Sequence, residues 1–221
     1  MPKKSITPHF TFSQDTLIQM AKSKASFIER DAAEFDKHNV TATRLTAFRE
    51  KISTMENFPT DVELLGTQSV ATETKDEVEV KLKNSIRGIM SRAVNKFGEN
   101  SARYRQFGTK GLSHMTDLQL LKCAATVYRI GMAYLDQLAS EGLTEPILTD
   151  LQNLRTEFND ADIVQSDAIA NRDIATEDRI ILANDIYDDL VKFCNTGKTI
   201  WANTDEARYN DYVIYDTASS K

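Results

Sequence analysis

Apolar residues recur every three or four positions through most of this chain, the spacing of one helical face. Leu17, Ala21, Ala25, Ile28, Ala32 and Phe35 form such a stripe on a helix predicted over 14–37, with Ser13 placed to cap it. Asn39 suits a left-handed helix end, and Thr41 caps a second helix whose stripe is Leu45, Phe48, Ile52 and Met55. Pro59 has no N–H and disfavours helix at the residue before it, so a break is expected near Phe58. After a polar stretch, a third helix carries Val78, Leu82, Ile86, Ile89, Val94 and Phe97 and stops at Gly98. A short segment over 101–107 and a linker holding Gly108 and Gly111 close the first half.

The second half follows the same plan. A helix is expected over 116–140, with Gly142 as its stop and Thr144-Glu145-Pro146 as the next start. Leu148, Leu151 and Phe158 match Leu45, Phe48 and Met55 at a spacing of 103. Leu182, Ile186, Leu190 and Phe193 match Val78, Leu82, Ile86 and Ile89 at 104, and Arg208-Tyr209 matches Arg103-Tyr104 at 105. Ala71-Thr72-Glu73 recurs as Ala175-Thr176-Glu177, and the turn Asn39-Val40-Thr41 answers to Gly142-Leu143-Thr144. The slow drift of the offset is what a duplication with loop insertions produces.

The expected fold is therefore all-α, a six-helix bundle built from two tandem three-helix units. Its parts are an N-terminal arm (1–12), repeat 1 (13–107), a linker (108–115), repeat 2 (116–207) and an aromatic tail (208–221), with the repeats packed as one domain. The copies differ. Leu120, Leu121, Ala124, Val127, Tyr128, Ile130 and Leu135 point nearly all round the helix over 116–140, as in a helix covered on several sides.

Composition supports helices: among 221 residues only eight are Gly and four Pro. With 41% hydrophobic and 27% charged residues the chain has the balance of a globular protein, long enough to bury a core without disulfide or metal. The net charge of −6 argues against wholesale attraction to nucleic acid or anionic membrane. No apolar run reaches the roughly 18 residues that span a bilayer, so no membrane partner is expected. Cys123 and Cys194 read as buried free thiols, and a cytoplasmic location follows as the default.

Candidate chemistry is sparse. None of His9, His38 and His114 has a Glu three residues before it, which removes the di-iron arrangement of helical bundles. The acidic run Asp160, Asp162, Asp167, Asp173, Glu177 and Asp178 lacks the glycine of a calcium loop. Phosphate loops and nucleophile elbows are absent. No catalytic residue, metal or cofactor is assigned.

Two surfaces remain. Arg87, Arg92, Lys96, Arg103, Arg105 and Lys110 form a basic strip against Glu99 alone, interleaved with Phe97, Tyr104 and Phe107, a pattern able to grip phosphates and stack bases. The corresponding part of the second half is acidic, with Asp185, Asp188, Asp189, Asp205, Glu206 and Asp211, so the two regions should attract within or between molecules. The second surface is the tail, where Trp201, Arg208, Tyr209, Tyr212 and Tyr215 are candidate partner-binding residues. The other reading is that its aromatics are packing groups that pin the terminal segment onto the bundle. The leading expectation is a non-enzymatic structural or protein-interaction module, a subunit of a larger assembly or self-associating. A nucleic-acid or phosphate-ligand module using the basic strip is the alternative, and a helical-bundle enzyme ranks third.

Overall fold

A computed structural model describes residues 6–214, so Tyr215 lies outside the described residues. These residues form helices and no strand: α1 (Gln14–Arg30), α2 (Ala32–Asp36), α3 (Ala42–Glu56), α4 (Asp61–Phe97), α5 (Ala102–Arg105), α6 (Asp117–Ala133), α7 (Leu135–Leu138), α8 (Glu145–Trp201) and α9 (Glu206–Asp211). Short 3-10 turns lie at Leu112–His114 and Ala139–Glu141. The all-α expectation holds.

The caps sit where the sequence puts them. Ser13 Oγ accepts from the Thr16 N–H at 3.1 Å, and Thr41 Oγ1 accepts from the Arg44 N–H. Thr116 and Gln119 form a reciprocal capping box. Asn39 (φ 61°) and Gly142 (φ 78°) both occupy the left-handed region that ends a helix.

The helix count differs from six for two physical reasons. An unbroken apolar stripe hides bends, because the stripe continues in register through them. The predicted helix over 14–37 bends at Asp31 (φ −102°, ψ 19°), and that over 116–140 bends at Tyr134 (φ −109°, ψ 14°). Polar stretches, conversely, are themselves helical. The chain after Pro59 enters α4 at once, and α8 runs unbroken through 57 residues, with no Pro or Gly between Pro146 and Gly197.

The chain divides into two compact units, and these are not the two sequence halves. Unit 1 comprises Met1–Asp61 and Asp173–Lys221, and unit 2 comprises Val62–Arg172. Each sequence half is split between both units. In unit 1, Leu17, Ala21, Ile28, Phe35, Leu45, Phe48 and Ile52 bury against Ile186, Leu190, Phe193, Cys194 and Tyr212. Phe48 meets Phe193 edge-on with ring centroids 5.2 Å apart. In unit 2, Leu120, Ala124, Val127, Leu138, Leu148, Leu151 and Phe158 bury with Leu82, Ile86, Ile89, Met90, Ala93 and Phe107. Each buried Leu, Ile, Val, Phe or Met among them stabilises its unit by roughly 1.5–3 kcal/mol on leaving water.

In unit 2 the polar parts of α4 and α8 are stitched by side chains. Arg172 donates to Gln68 Oε1 at 3.2 Å, Gln165 donates to Thr72 Oγ1 at 3.0 Å, and Lys75 Nζ reaches Asp117 and Asp162 at 2.6 Å each. Burial opposes the charge on Lys75, but hydrogen bonds to Asp117 and Asp162 outweigh it and raise its pKa above the ordinary lysine value.

Two helical glycines test this packing. A Cβ on Gly131 would lie 2.6 Å from the terminal Cδ2 of Leu148, which can rotate aside. One on Gly197 would lie 2.3 Å from the rigid ring of Tyr212, which is fully buried. Alanine gains about 1 kcal/mol over glycine inside a helix. Gly131→Ala is expected to leave stability near that of the wild type, whereas Gly197→Ala should lose about 1–3 kcal/mol through overpacking. Urea melts read both, and a Gly197→Ala protein as stable as Gly131→Ala would contradict the Tyr212 packing.

Candidate anion-binding face

The described part of the aromatic tail, through Ile214, packs on unit 1 by Tyr212 and Ile214. Tyr212 is fully buried, and its hydroxyl donates to Asp31 Oδ2 at 2.8 Å. Asp31 itself has a side chain only 1% exposed and receives Arg30 Nε and Nη2 at 2.9 and 2.8 Å, with Arg208 Nη1 at 3.5 Å. Burial would raise the Asp31 pKa, yet the bonds from Arg30 and Tyr212 and the charges of Arg30 and Arg208 hold it below the ordinary carboxylate value. The same burial, with the bond to Asp31, pushes the Tyr212 phenol well above its usual range.

Lys24 donates to the carbonyls of Asp211 and Val213, and Arg30 also bonds Asp211 Oδ2 at 2.8 Å. Arg208 lies 4.5 Å from the centre of the Trp201 ring. Of the proposed partner-binding residues, Tyr212 is thus a core group with no face left for a partner. Trp201, Arg208 and Tyr209 are half-buried in unit 1. The sequence signal was real, but what it marked was packing.

The acidic counterpart is also engaged internally. Asp189 pairs with Lys51 at 2.7 Å, Asp188 with His9 at 3.1 Å and Asp211 with Arg30, while Asp205 caps α9 through the Arg208 N–H. The carboxylates expected to attract the basic strip are largely neutralised within their own unit.

The basic strip lies wholly in unit 2 and separates into two groups. Arg92 and Lys96 hold the turn after α7: Arg92 donates to the Gly142 and Gly88 carbonyls at 3.2 and 2.8 Å, and Lys96 to Ser140 Oγ at 2.9 Å. Arg103 covers the Phe97 ring at 5.7 Å, and that ring stacks edge-on with Tyr134 at 5.2 Å. Lys110 stands apart from these and lines an open groove of about 530 Å³ with His114, Gln119, Lys122 and Thr126, bounded by Gly108 and Gly111. No carboxylate lines this groove. Both glycines have positive φ, 66° and 78°, which turns the backbone around the groove's rim. Sequence reading missed Lys122 and His114, because they lie beyond the strip in the chain. The only signal was the pair of glycines beside Lys110.

Charge is sharply segregated. Residues 81–142 carry ten Lys and Arg against Glu99, Asp117, Asp136 and Glu141, a net +6 in a chain of net −6. Among the described residues, Lys83 alone of those ten cations pairs with a carboxylate, its neighbour Glu79. In unit 1, eight of the eleven described Lys and Arg residues are so paired. Arg87, Lys96, Arg103, Arg105, Lys110, Lys122 and Arg129 are exposed, so their charge projects into solvent.

The aromatics of the strip do not project with it. Phe107 is fully buried, and Phe97 and Tyr104 pack against the unit 2 core. The face offers cations for phosphate and no open ring for a base. Burial pushes up the pKa of the Cys123 thiol beside the groove, and that of Cys194 to about 11. Neither is a reactive thiolate at neutral pH. Among the described residues no group of His, Cys, Asp and Glu is placed to hold a metal. A cavity of about 650 Å³ in unit 1 is lined by Asp15, Lys22, Glu56 and Arg179, whose charges are largely satisfied by the Lys22–Glu56 and Arg179–Asp61 pairs. No helix is long and apolar enough to cross a membrane among the described residues. No protein-family model, curated protein or solved structure matches the chain.

The Asp31 network makes unit 1 acid-sensitive. A carboxylate whose pKa is lowered by folding contributes fully above its unfolded value near pH 4 and loses that contribution as pH falls through the lower folded value. Asp31→Asn should cost roughly 1.5 kcal/mol at pH 7 through weakened charge-assisted hydrogen bonds, since Arg30 and Arg208 are each 43% exposed and keep Asp211 and Asp205 as partners. Its melting temperature should then fall less steeply below about pH 4 than that of the wild type. Parallel acid profiles for the two proteins would contradict the assignment.

Proposed function

We propose that the protein is a non-enzymatic helical module that binds a phosphate-bearing polyanion, with nucleic acid as the ligand class, through the basic face of unit 2. Unit 1 serves as scaffold. The observation that carries this reading is the set of exposed cations over 81–129 without carboxylate partners, beside a groove free of acidic residues. Matched positions sharpen it. At a spacing of 104, Lys81 stands where the second half has Asp185, and the neutral Asn84 and Ser85 stand where it has Asp188 and Asp189, so three acidic positions of the second half are not acidic in the first. Phosphate contacts from Arg and Lys give sequence-independent binding. Burial of Phe107 and packing of Phe97 and Tyr104 favour that mode over base stacking. No cofactor takes part, and a cytoplasmic location accords with two buried, unpaired cysteines.

A second reading, a structural or self-associating protein, draws on a different observation. Val62, Val70 and Val164 of unit 2 are 80%, 62% and 57% exposed, and Leu65, Ile163 and Ile169 are also largely open to solvent. Exposed apolar groups mark a protein contact where they join into one patch. Burial of Tyr212 takes that one residue out of the candidate contacts of the tail.

Salt separates the two readings. Binding of duplex nucleic acid should weaken linearly in log K against log salt, by about 0.9 for each phosphate neutralised. Replacing Arg103, Arg105 and Lys110 together with Gln should reduce that slope by up to about 3 while leaving the melting temperature unchanged. Arg92 and Lys96 are left intact, since they hold the Gly142 turn. No binding at low salt, or a slope unaltered by the triple variant, would overturn the proposal. Association that persists or strengthens as salt rises would instead support the apolar reading.

A further inference from the structure

We infer that the chain is two copies of one subunit fused in tandem, each copy completing the other's core. The contact inside each unit is then a subunit interface whose fitting partner is a second copy of the half-chain. This inference is independent of the polyanion reading.

The first line of support is element-by-element correspondence at a fixed offset. The N-caps Ser13 and Thr116, the bends Asp31 and Tyr134, the left-handed residues Asn39 and Gly142 and the starts Ala42 and Glu145 are all 103 apart. Both loops after the bend close with the same backbone bond: Val40 N–H to the Phe35 carbonyl at 3.0 Å, and Leu143 N–H to the Leu138 carbonyl at 3.1 Å. The caps Ser101 and Asp205 then stand 104 apart, each accepting from the N–H three residues on.

The second line is tertiary and does not follow from helical periodicity. In unit 1 the bend residue Asp31 accepts a hydrogen bond from Tyr212 after α9. In unit 2 the matching bend residue Tyr134 donates a hydrogen bond to Gln106 Oε1, just after α5, at 2.9 Å. Each bond joins the bend to the first residue after the short helix, and the residue that matches Tyr212 at the offset of 105 is Phe107, equally buried in unit 2. An arginine likewise satisfies the carbonyl of each left-handed turn: Arg44 on Asn39 at 2.9 Å and Arg92 on Gly142 at 3.2 Å.

The third line is which half supplies which piece. The first-half stripe of α1 and α3 buries against Ile186, Leu190 and Phe193 of the second half, although the first half holds the matching residues Leu82, Ile86 and Ile89. Those residues lie instead in unit 2, against Leu120, Leu148 and Leu151. Such exchange is the arrangement by which two identical chains make a domain-swapped dimer. From the connection between Phe107 and Thr116, only Leu112 and Met115 touch a core, and both are partly exposed. The covalent link is therefore not what holds the halves together.

The test is cleavage of the folded, full-length protein at a protease site inserted after Lys110, which is exposed. Native mass spectrometry and circular dichroism at micromolar concentration should find the two fragments still together, with intact mass and unchanged helicity. The melting temperature should become dependent on protein concentration, as for any two-chain assembly. Fragments that part at that concentration, whether folded or unfolded, overturn the inference. So does a melting temperature that stays independent of concentration after cleavage. In either case the polyanion reading is judged separately, by the salt slope of the uncut protein.

Discussion

The structure depends on one constraint: α1 and α3 pack on each other, and the core they form is closed by the end of α8, from the other sequence half. Leu17, Ala21, Phe48 and Ile52 are at most 2% exposed in that core, to which the end of α8 supplies Ile186, Leu190 and Phe193. Unit 2 meets the same constraint in reverse, with Leu82, Ile86 and Ile89 of α4 covering α6 and the start of α8. In both long helices the polar stretch is itself helical, and side-chain bonds such as Arg172 to Gln68 and Gln165 to Thr72 join the two within unit 2. The 57 residues of α8 form the longer of these runs.

That constraint also decides how charge is used. In unit 1 the buried Asp31 is satisfied by Arg30, Arg208 and Tyr212, and Lys24 closes the carbonyls of the following segment. A buried carboxylate is tolerable only with such partners, so these cations serve the fold. In unit 2 the equivalent bend holds Tyr134, a neutral donor that needs only Gln106. Among the nearby cations, Arg92 and Lys96 hold the Gly142 turn and Arg103 covers Phe97, while Arg105, Lys110 and Lys122 are exposed.

Much of this was legible in the sequence, and the limits are physical. Stripe spacing located every helical core position of unit 1, from Leu17 to Met55, and the caps Ser13, Thr41 and Thr116 were readable from residue type. The recurrence at 103 and 104 was equally visible. What periodicity lacks is any statement of partner. Val78, Leu82 and Ile86 present the same stripe whichever half they cover, so the exchange between halves was invisible. Bends at Asp31 and Tyr134 were hidden by stripes that continue through them, and Tyr212 read equally as an interface anchor or a packing group because an aromatic cluster looks alike in a core and on a surface. In the candidate site the strip itself was legible, whereas its division into turn-holding and free cations depends on carbonyl positions that only the fold supplies.

The most direct measurement of the exchanged cores is native-state hydrogen exchange, residue by residue, on Phe48→Ala. Loss of this ring, 5.2 Å from Phe193, should cost about 3–5 kcal/mol of local stability. Protection should fall in α1, in α3 and across Ile186 to Cys194 of α8, while amides of Leu82 to Ala93 keep theirs. Protection lost over 82–93, with the end of α8 unaffected, would contradict the account, since the first half would then be covering its own core.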